Sequence, residues 1–145
     1  MCLPNVNIVS FLSAQNSNSV AKLVSGRGYK KLANDLLAFV RVTPAHIPLT
    51  RNGEPIVFNE FKNDRDADAG IYVHKCVARL KGGIPNPKVR PVVELPWELE
   101  FDMYILEEGD VREVTLKGYI ERGGLAIGLG TYRGVFGKFE IGGWD

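Results

Sequence analysis

The sequence predicts an α+β fold, and three observations carry that expectation. Tyr29, Leu32, Ala33, Leu36 and Val40 recur at i, i+3, i+4, i+7 and i+11, one face of a helix. Trp97, Leu99, Phe101, Met103 and Ile105 alternate with Glu98, Glu100 and Asp102, the period of a strand that buries one face. Two further apolar runs, Ile71 to Leu80 and Val89 to Leu95, flank Gly82-Gly83-Ile84-Pro85-Asn86-Pro87, whose glycines and prolines mark an exposed loop or hairpin tip.

Taken in order, Asn7 to Leu12 reads as a short apolar strand, and Gln15 to Ser19 as a polar turn. The helix from about Tyr29 to Val40 is stopped by Thr43-Pro44. Ser25-Gly26-Arg27-Gly28 precedes it without completing a phosphate-loop pattern. A loop-rich insertion is expected over about residues 43–70, with a tight turn at Asn52-Gly53. Asp64, Asp66 and Asp68 alternate there, but no glycine stands at the sixth position of a calcium loop and Lys75 stands at the twelfth, so an exposed loop is expected. Asp110 to Glu113 reads as a helix N-cap with a capping-box partner, opening a short helix that ends at Gly123-Gly124. The remaining residues supply a hairpin, or a loop and a terminal strand.

At 145 residues the chain is long enough for a single domain, 1–145, without metal or disulfide support. Hydrophobic residues at 45% and charged residues at 24% exclude the composition of a disordered chain. Cys2 and Cys76 are too few for a disulfide framework or a zinc cluster. Neither a signal peptide nor a membrane span is visible, so a soluble protein of a reducing compartment is expected. The net charge of +1 conceals a dipolar chain: residues 1–90 carry 13 basic and 6 acidic side chains, whereas residues 91–145 carry 5 and 11. Lys75, Arg79, Lys81, Lys88 and Arg90 follow one another with no acid between them. Such a run either faces phosphate or is a solvated strand surface.

The C-terminal stretch from Gly123 to Ile141 packs six glycines into fifteen residues, among Tyr132, Arg133, Phe136, Lys138 and Phe139. Backbone of this kind turns tightly or admits close approach, with Gly128, Gly130 and Gly137 as its structural positions. Arg133 and Lys138 then neutralise phosphates while Tyr132 or Phe136 stacks on a base. The competing reading is structural: Phe136, Phe139 and Ile141 close a core, and Arg133 pairs with the acidic Glu98–Asp102 strand.

The element order suits a single antiparallel sheet with helices on one face, of the ferredoxin-like type. Val89-Arg90-Pro91, the Trp97 to Phe101 strand and Gly128 to Ile141 together resemble a family of bacteriophage proteins that carry an Arg-Pro, a Trp-bearing strand, a short helix and a Gly-Leu-Gly…Arg…Phe-Gly-Arg-Phe ending. The likeness spans about residues 88–141, and departs from the phage pattern at Gly134 and Lys138. More remotely, the ending is similar to the glycine-rich loop of the RAMP proteins of CRISPR systems, which hold RNA on ferredoxin-like, RRM-like folds. The histidine constellation of the RNA-cutting RAMP enzymes is missing. The resemblance therefore implies binding without cleavage, in the cytoplasm of an infected bacterial host.

Catalysis finds little support in the pattern, since His46 and His74 stand apart from any nucleophile signature. No enzyme, cofactor or metal site is expected. Two function classes follow. The first is a module that binds RNA or single-stranded DNA, side by side as an oligomer, through Lys75, Arg79, Lys81, Lys88, Arg90, Tyr132, Arg133, Phe136 and Lys138. The second is a protein-binding phage factor, such as an inhibitor of a host defence complex or an assembly component.

Overall fold

A computed structural model describes all residues, Met1–Asp145. In chain order the elements are β1 (Cys2–Pro4), α1 (Val6–Ser13), α2 (Val20–Ser25), a 3-10 turn (Gly26–Gly28), α3 (Tyr29–Phe39), β2 (Val40–Thr43), β3 (His46–Arg51) and β4 (Glu54–Pro55). There follow β5 (Arg65–Asp66), β6 (Ile71–Arg79), β7 (Pro85–Val93), β8 (Glu98–Leu99), β9 (Asp102–Ile105) and α4 (Glu113–Ala126). The class is α+β, as expected. The strands, however, fall into three antiparallel sheets rather than the one sheet that the sequence predicts.

Where the sequence predicts one domain with an insertion over 43–70, the chain divides into two compact units. Met1 with Pro48–Leu99 forms one, and Cys2–Ile47 with Glu100–Asp145 forms the other. The division explains the fate of the Trp97–Leu106 strand. Its alternation is real, because Trp97, Leu99, Phe101, Met103 and Ile105 are half-buried between exposed Glu98, Glu100, Asp102 and Tyr104. Its continuity is not, because β8 pairs with β3 (Leu49↔Leu99) while β9 pairs with β2 (Val42↔Met103).

The helical unit buries Ile8, Phe11, Leu12, Val20, Leu36, Leu116 and Ile120. Asn7 to Leu12, expected as a strand, is the body of α1; a short apolar run fits a buried helix as well as a strand, and packing decides. Its start is tied by Asn5 Nδ2, which donates to Val42 O at 2.8 Å. Helix α4 begins two residues later than a cap at Asp110 requires: Arg112 is the N-cap residue and no side chain caps it. It also runs past Gly123-Gly124, because these glycines lie against the core. A Cβ on Gly123 would stand 2.6 Å from Val20 and 2.7 Å from Phe11. Gly118, earlier in the same helix, faces open space instead.

The strand-rich unit has a small core of Ile56, Ala69 and Ile71, with Leu49, Val93 and Trp97 packed on it. Asn52-Gly53 turns β3 into β4 with both residues at positive φ, 52° and 81°, as the dipeptide predicts. Asp66 is buried beside this core, and its carboxylate accepts from Asn59 N at 2.9 Å and Ala69 N at 3.2 Å.

Candidate nucleic-acid interface

The nine predicted site residues occupy two separate places. Lys75, Arg79, Lys81, Lys88 and Arg90 lie on the β6–β7 hairpin, and Tyr132, Arg133, Phe136 and Lys138 lie in the loop after α4.

β6 and β7 pair without interruption from Ile71↔Val93 to Arg79↔Pro85. β5 flanks only the base, at Arg65↔Tyr72 and Asp66↔Ile71, with Val73 N donating to Asp64 O at 2.8 Å. From His74 outward the hairpin is a two-stranded ribbon. Its tip is tighter than the sequence suggests, because Pro85, Asn86 and Pro87 belong to β7 and the turn is Lys81-Gly82-Gly83. Leu80 N donates to Ile84 O, and Gly83 N to Leu80 O, both at 2.9 Å.

Arg51 holds the base, a role that the sequence does not reveal. Its Nε donates to Pro96 O, its Nη1 to Ala69 O and its Nη2 to Glu94 O, at 2.8–2.9 Å. Ala69 and Glu94 stand just outside the two ends of the ribbon, so one guanidinium gathers both. Gly70 leaves room for it, since a Cβ there would lie 2.9 Å from Nη2. Arg65 adds an ion pair to Glu94 at 2.7 Å.

Register sorts the five cations. In this pairing, partners share parity, so even-numbered residues form one face and odd-numbered residues the other. Lys75 and Arg79 lie on the odd face with Val73, Val77 and Val89. Lys88 and Arg90 lie on the even face with His74, Cys76 and Asn86. The expected single basic surface is thus a ribbon charged on both faces, with Lys81 at its tip. Lys75 forms a salt bridge with Asp64, Arg79 donates to Gly83 O at 3.2 Å and Arg90 donates to Cys76 Sγ at 3.3 Å. The Lys75 bridge is exposed on both sides, the kind of pair worth about 0–1 kcal/mol and readily exchanged for another anion. No Asp or Glu occurs between Ile71 and Val93.

The glycine-rich loop is occupied otherwise. Leu129 N donates to Gly137 O at 2.8 Å and Gly134 N to Ile127 O at 2.7 Å, folding the loop back on itself. The fold requires glycine at 128 and 137, both at positive φ, because a Cβ on Gly137 would lie 2.0 Å from Leu129 O and one on Gly128 2.7 Å from Gly137 C. Lys138 Nζ donates to Ala126 O at 2.6 Å, satisfying a carbonyl at the end of α4. The Tyr132 and Phe136 rings pack on each other with centroids 5.6 Å apart. Phe139 packs on Phe11 at 5.5 Å.

Arg133 does not pair with the Glu98–Asp102 strand. Its Nη2 donates to Ser10 Oγ at 3.0 Å and Ser17 Oγ at 2.9 Å, fixing α1 and the turn that follows it. Nη1 is buried without a hydrogen-bond partner, and burial pushes the pKa of the guanidinium below its ordinary value. With hydroxyls rather than a carboxylate around it, it stays a desolvated cation.

The same helical unit has a shallow cleft of about 250 Å³, lined in part by Lys31, Asp35, Asp110 and Tyr119. Lys31 bridges Asp35 at 2.8 Å and Asp110 at 3.4 Å, and the Asp35 hydrogen bond foremost raises its pKa. The Asp64-Asp66-Asp68 run disperses, with Asp64 on Lys75 and Asp66 on main-chain amides. His, Cys, Asp and Glu nowhere gather into a group of three that could hold a metal ion. No helix is long and apolar enough to cross a membrane.

Comparison with family models, curated proteins and solved structures finds no match.

Proposed function

We propose that this chain is a non-catalytic nucleic-acid-binding protein whose contact surface is the β6–β7 ribbon. One observation carries the reading: five cations and no carboxylate lie on a ribbon that extends beyond its third strand. A phosphate polymer is the partner that such a field attracts at long range. Prolines support it further. Val73 N bonds outward to Asp64 while Leu80 and Ile84 bond inward, so odd positions direct their main-chain groups to the outer edges. Pro85, Pro87 and Pro91 are all odd and remove donors from the outer edge of β7. A protein partner that adds a strand there would find few donors, which leaves side chains as the means of recognition.

The glycine-rich loop enters this reading as support for the helical unit rather than as a ligand surface. The phage setting, the host cytoplasm, side-by-side assembly and the RAMP-like, ferredoxin-like likeness rest on residues 88–141 alone and are held as part of the proposal. The test is affinity for a random-sequence nucleic acid as a function of salt. Log affinity should fall linearly with log salt, with a slope of roughly 3–5, about 0.7–0.9 for each phosphate contact. A flat salt dependence, or no binding at low salt, would overturn it.

A further inference from the structure

Resting on that reading, we infer that the ribbon's ligand is duplex DNA, entered from the minor groove, with Leu80 and Ile84 at the tip wedged between base pairs and Lys75, Arg79 and Lys81 on the flanking phosphates. Exposure decides which parts of the ribbon can do this. The even-numbered side is half-buried at every position from Tyr72 to Ala78 and from Asn86 to Val92, and Arg90 is already engaged by Cys76. The odd-numbered side is exposed from Lys75 to Arg79 and from Pro85 to Pro91. Contact therefore falls to the odd side and the tip.

Both are apolar as well as basic. Val77, Leu80, Ile84 and Val89 are 59%, 52%, 59% and 67% exposed, away from the core of Ile56, Ala69 and Ile71. Aliphatic surface left in water on a projecting element marks a contact site. At the tip Leu80 N donates to Ile84 O at 2.9 Å, which sets these two residues at one level of the ladder. Ahead of them Gly82 and Gly83 have nothing within 4 Å of a Cβ position, so the turn that leads the pair is slim.

Chemistry selects the duplex. Single strands are held on aromatic platforms, and from Val73 to Val93 there is no Phe, Tyr or Trp. Aliphatic side chains act on paired bases instead: pushed between base steps from the minor groove, Leu, Ile or Pro unstacks them and kinks the helix toward the major groove. The cations that such a kink needs stand just behind the wedge. Lys81 lies in the turn, and Arg79 and Lys75 follow on the odd side, roughly 14 Å apart at about 3.4 Å per residue, the span of about four phosphates of one strand. Asp64, the carboxylate paired with Lys75, is exposed and sits at the end of this row away from the tip.

The experiment uses the full chain with an A·T-rich duplex DNA carrying a fluorophore at each end, so that anisotropy reports binding and energy transfer reports bending. Energy transfer should rise on saturation, and a central mismatch, whose steps unstack more easily, should tighten binding about tenfold. Netropsin, which occupies the minor groove, should displace the protein, and methyl green, which occupies the major groove, should not. Leu80→Ser/Ile84→Ser should abolish the rise and the preference for the mismatch while leaving the salt slope and the circular dichroism spectrum unchanged. Arg79→Ala/Lys81→Ala should do the reverse, lowering the slope by about 0.9 per lost contact and keeping the preference. Binding without bending, or bending that survives the Leu80→Ser/Ile84→Ser change, would overturn the wedge while leaving nucleic-acid binding intact. Displacement by methyl green alone would overturn the groove, and equal or tighter binding of the same sequence as single strand or duplex RNA would overturn the duplex. Binding to phosphatidylserine vesicles but to none of the nucleic acids, or no binding at all, would overturn both readings.

Discussion

The hairpin ribbon and the glycine-rich C-terminal loop look alike in sequence, each mixing glycines with Lys and Arg, yet their cations are spent differently. In the loop, Arg133 is consumed by Ser10 and Ser17, and Lys138 by a helix-end carbonyl. On the ribbon, Arg79 meets its own turn and Arg90 a cysteine sulfur, while the one ion pair is exposed. A cation's availability is decided by the carbonyls and hydroxyls within reach, and on the ribbon alternate main-chain groups are paired across the two strands while the others point to its outer edges. The glycines differ likewise: those at the ribbon tip, Gly82 and Gly83, face open space, whereas Gly128 and Gly137 permit a main-chain approach that no side chain allows.

The sharpest way to break this comparison is at Gly137. Gly137→Ala places a Cβ into Leu129 O at positive φ, and we expect a loss of about 3 kcal/mol or more in the helical unit, read as a lowered urea midpoint. Gly130→Ala, at φ 89° but with nothing within 4 Å, should cost only about 1 kcal/mol. Equal effects would mean that strain rather than contact shapes the loop.

Next in size is Arg51→Ala, which strands three carbonyls at the ribbon's base and should cost about 2–3 kcal/mol. Hydrogen exchange should quicken at the Ile71 and Glu94 amides before it does in α3. If exchange accelerates uniformly, the guanidinium is not a local clasp.

Arg133→Ala should follow at about 1–2 kcal/mol, since two hydrogen bonds to hydroxyls disappear together with an unpartnered buried Nη1. Nucleic-acid affinity of the folded protein should not change. A loss of affinity without a loss of stability would return the loop to the binding surface.

What the sequence makes legible is local. The helix α3, the strand β6, the Asn52-Gly53 turn and the alternation from Trp97 to Ile105 each follow from a period or a turn pair. What it hides is set by distant partners. The residues of α1 are apolar enough for either state, and their burial as a helix depends on α3, some twenty residues on. The break between β8 and β9 depends on which strand claims each half. Ser10 lies 123 residues from Arg133 and Glu94 43 residues from Arg51, so neither pairing leaves a local trace. The five ribbon cations were visible as a run, but their division between two faces needed the register, after which parity alone assigns it.

The smallest effect expected is a pH dependence confined to the strand-rich unit. Main-chain N–H groups, of Asn59 foremost and then of Ala69, hold the Asp66 carboxyl below its ordinary value. Because the folded pKa is the lower one, the unfolded chain binds the proton more tightly. The stabilisation is therefore fully present above the ordinary carboxylate pKa and is lost as pH falls through the folded value. Asp66→Asn keeps one acceptor oxygen but cannot titrate. It should lower the melting temperature at neutral pH and flatten the decline in stability below about pH 4, leaving wild type and variant closest in strong acid. Parallel curves for the two proteins over that range would show that other carboxylates govern the acid limb, and that the buried turn at Asp66 holds the ribbon's base by geometry alone.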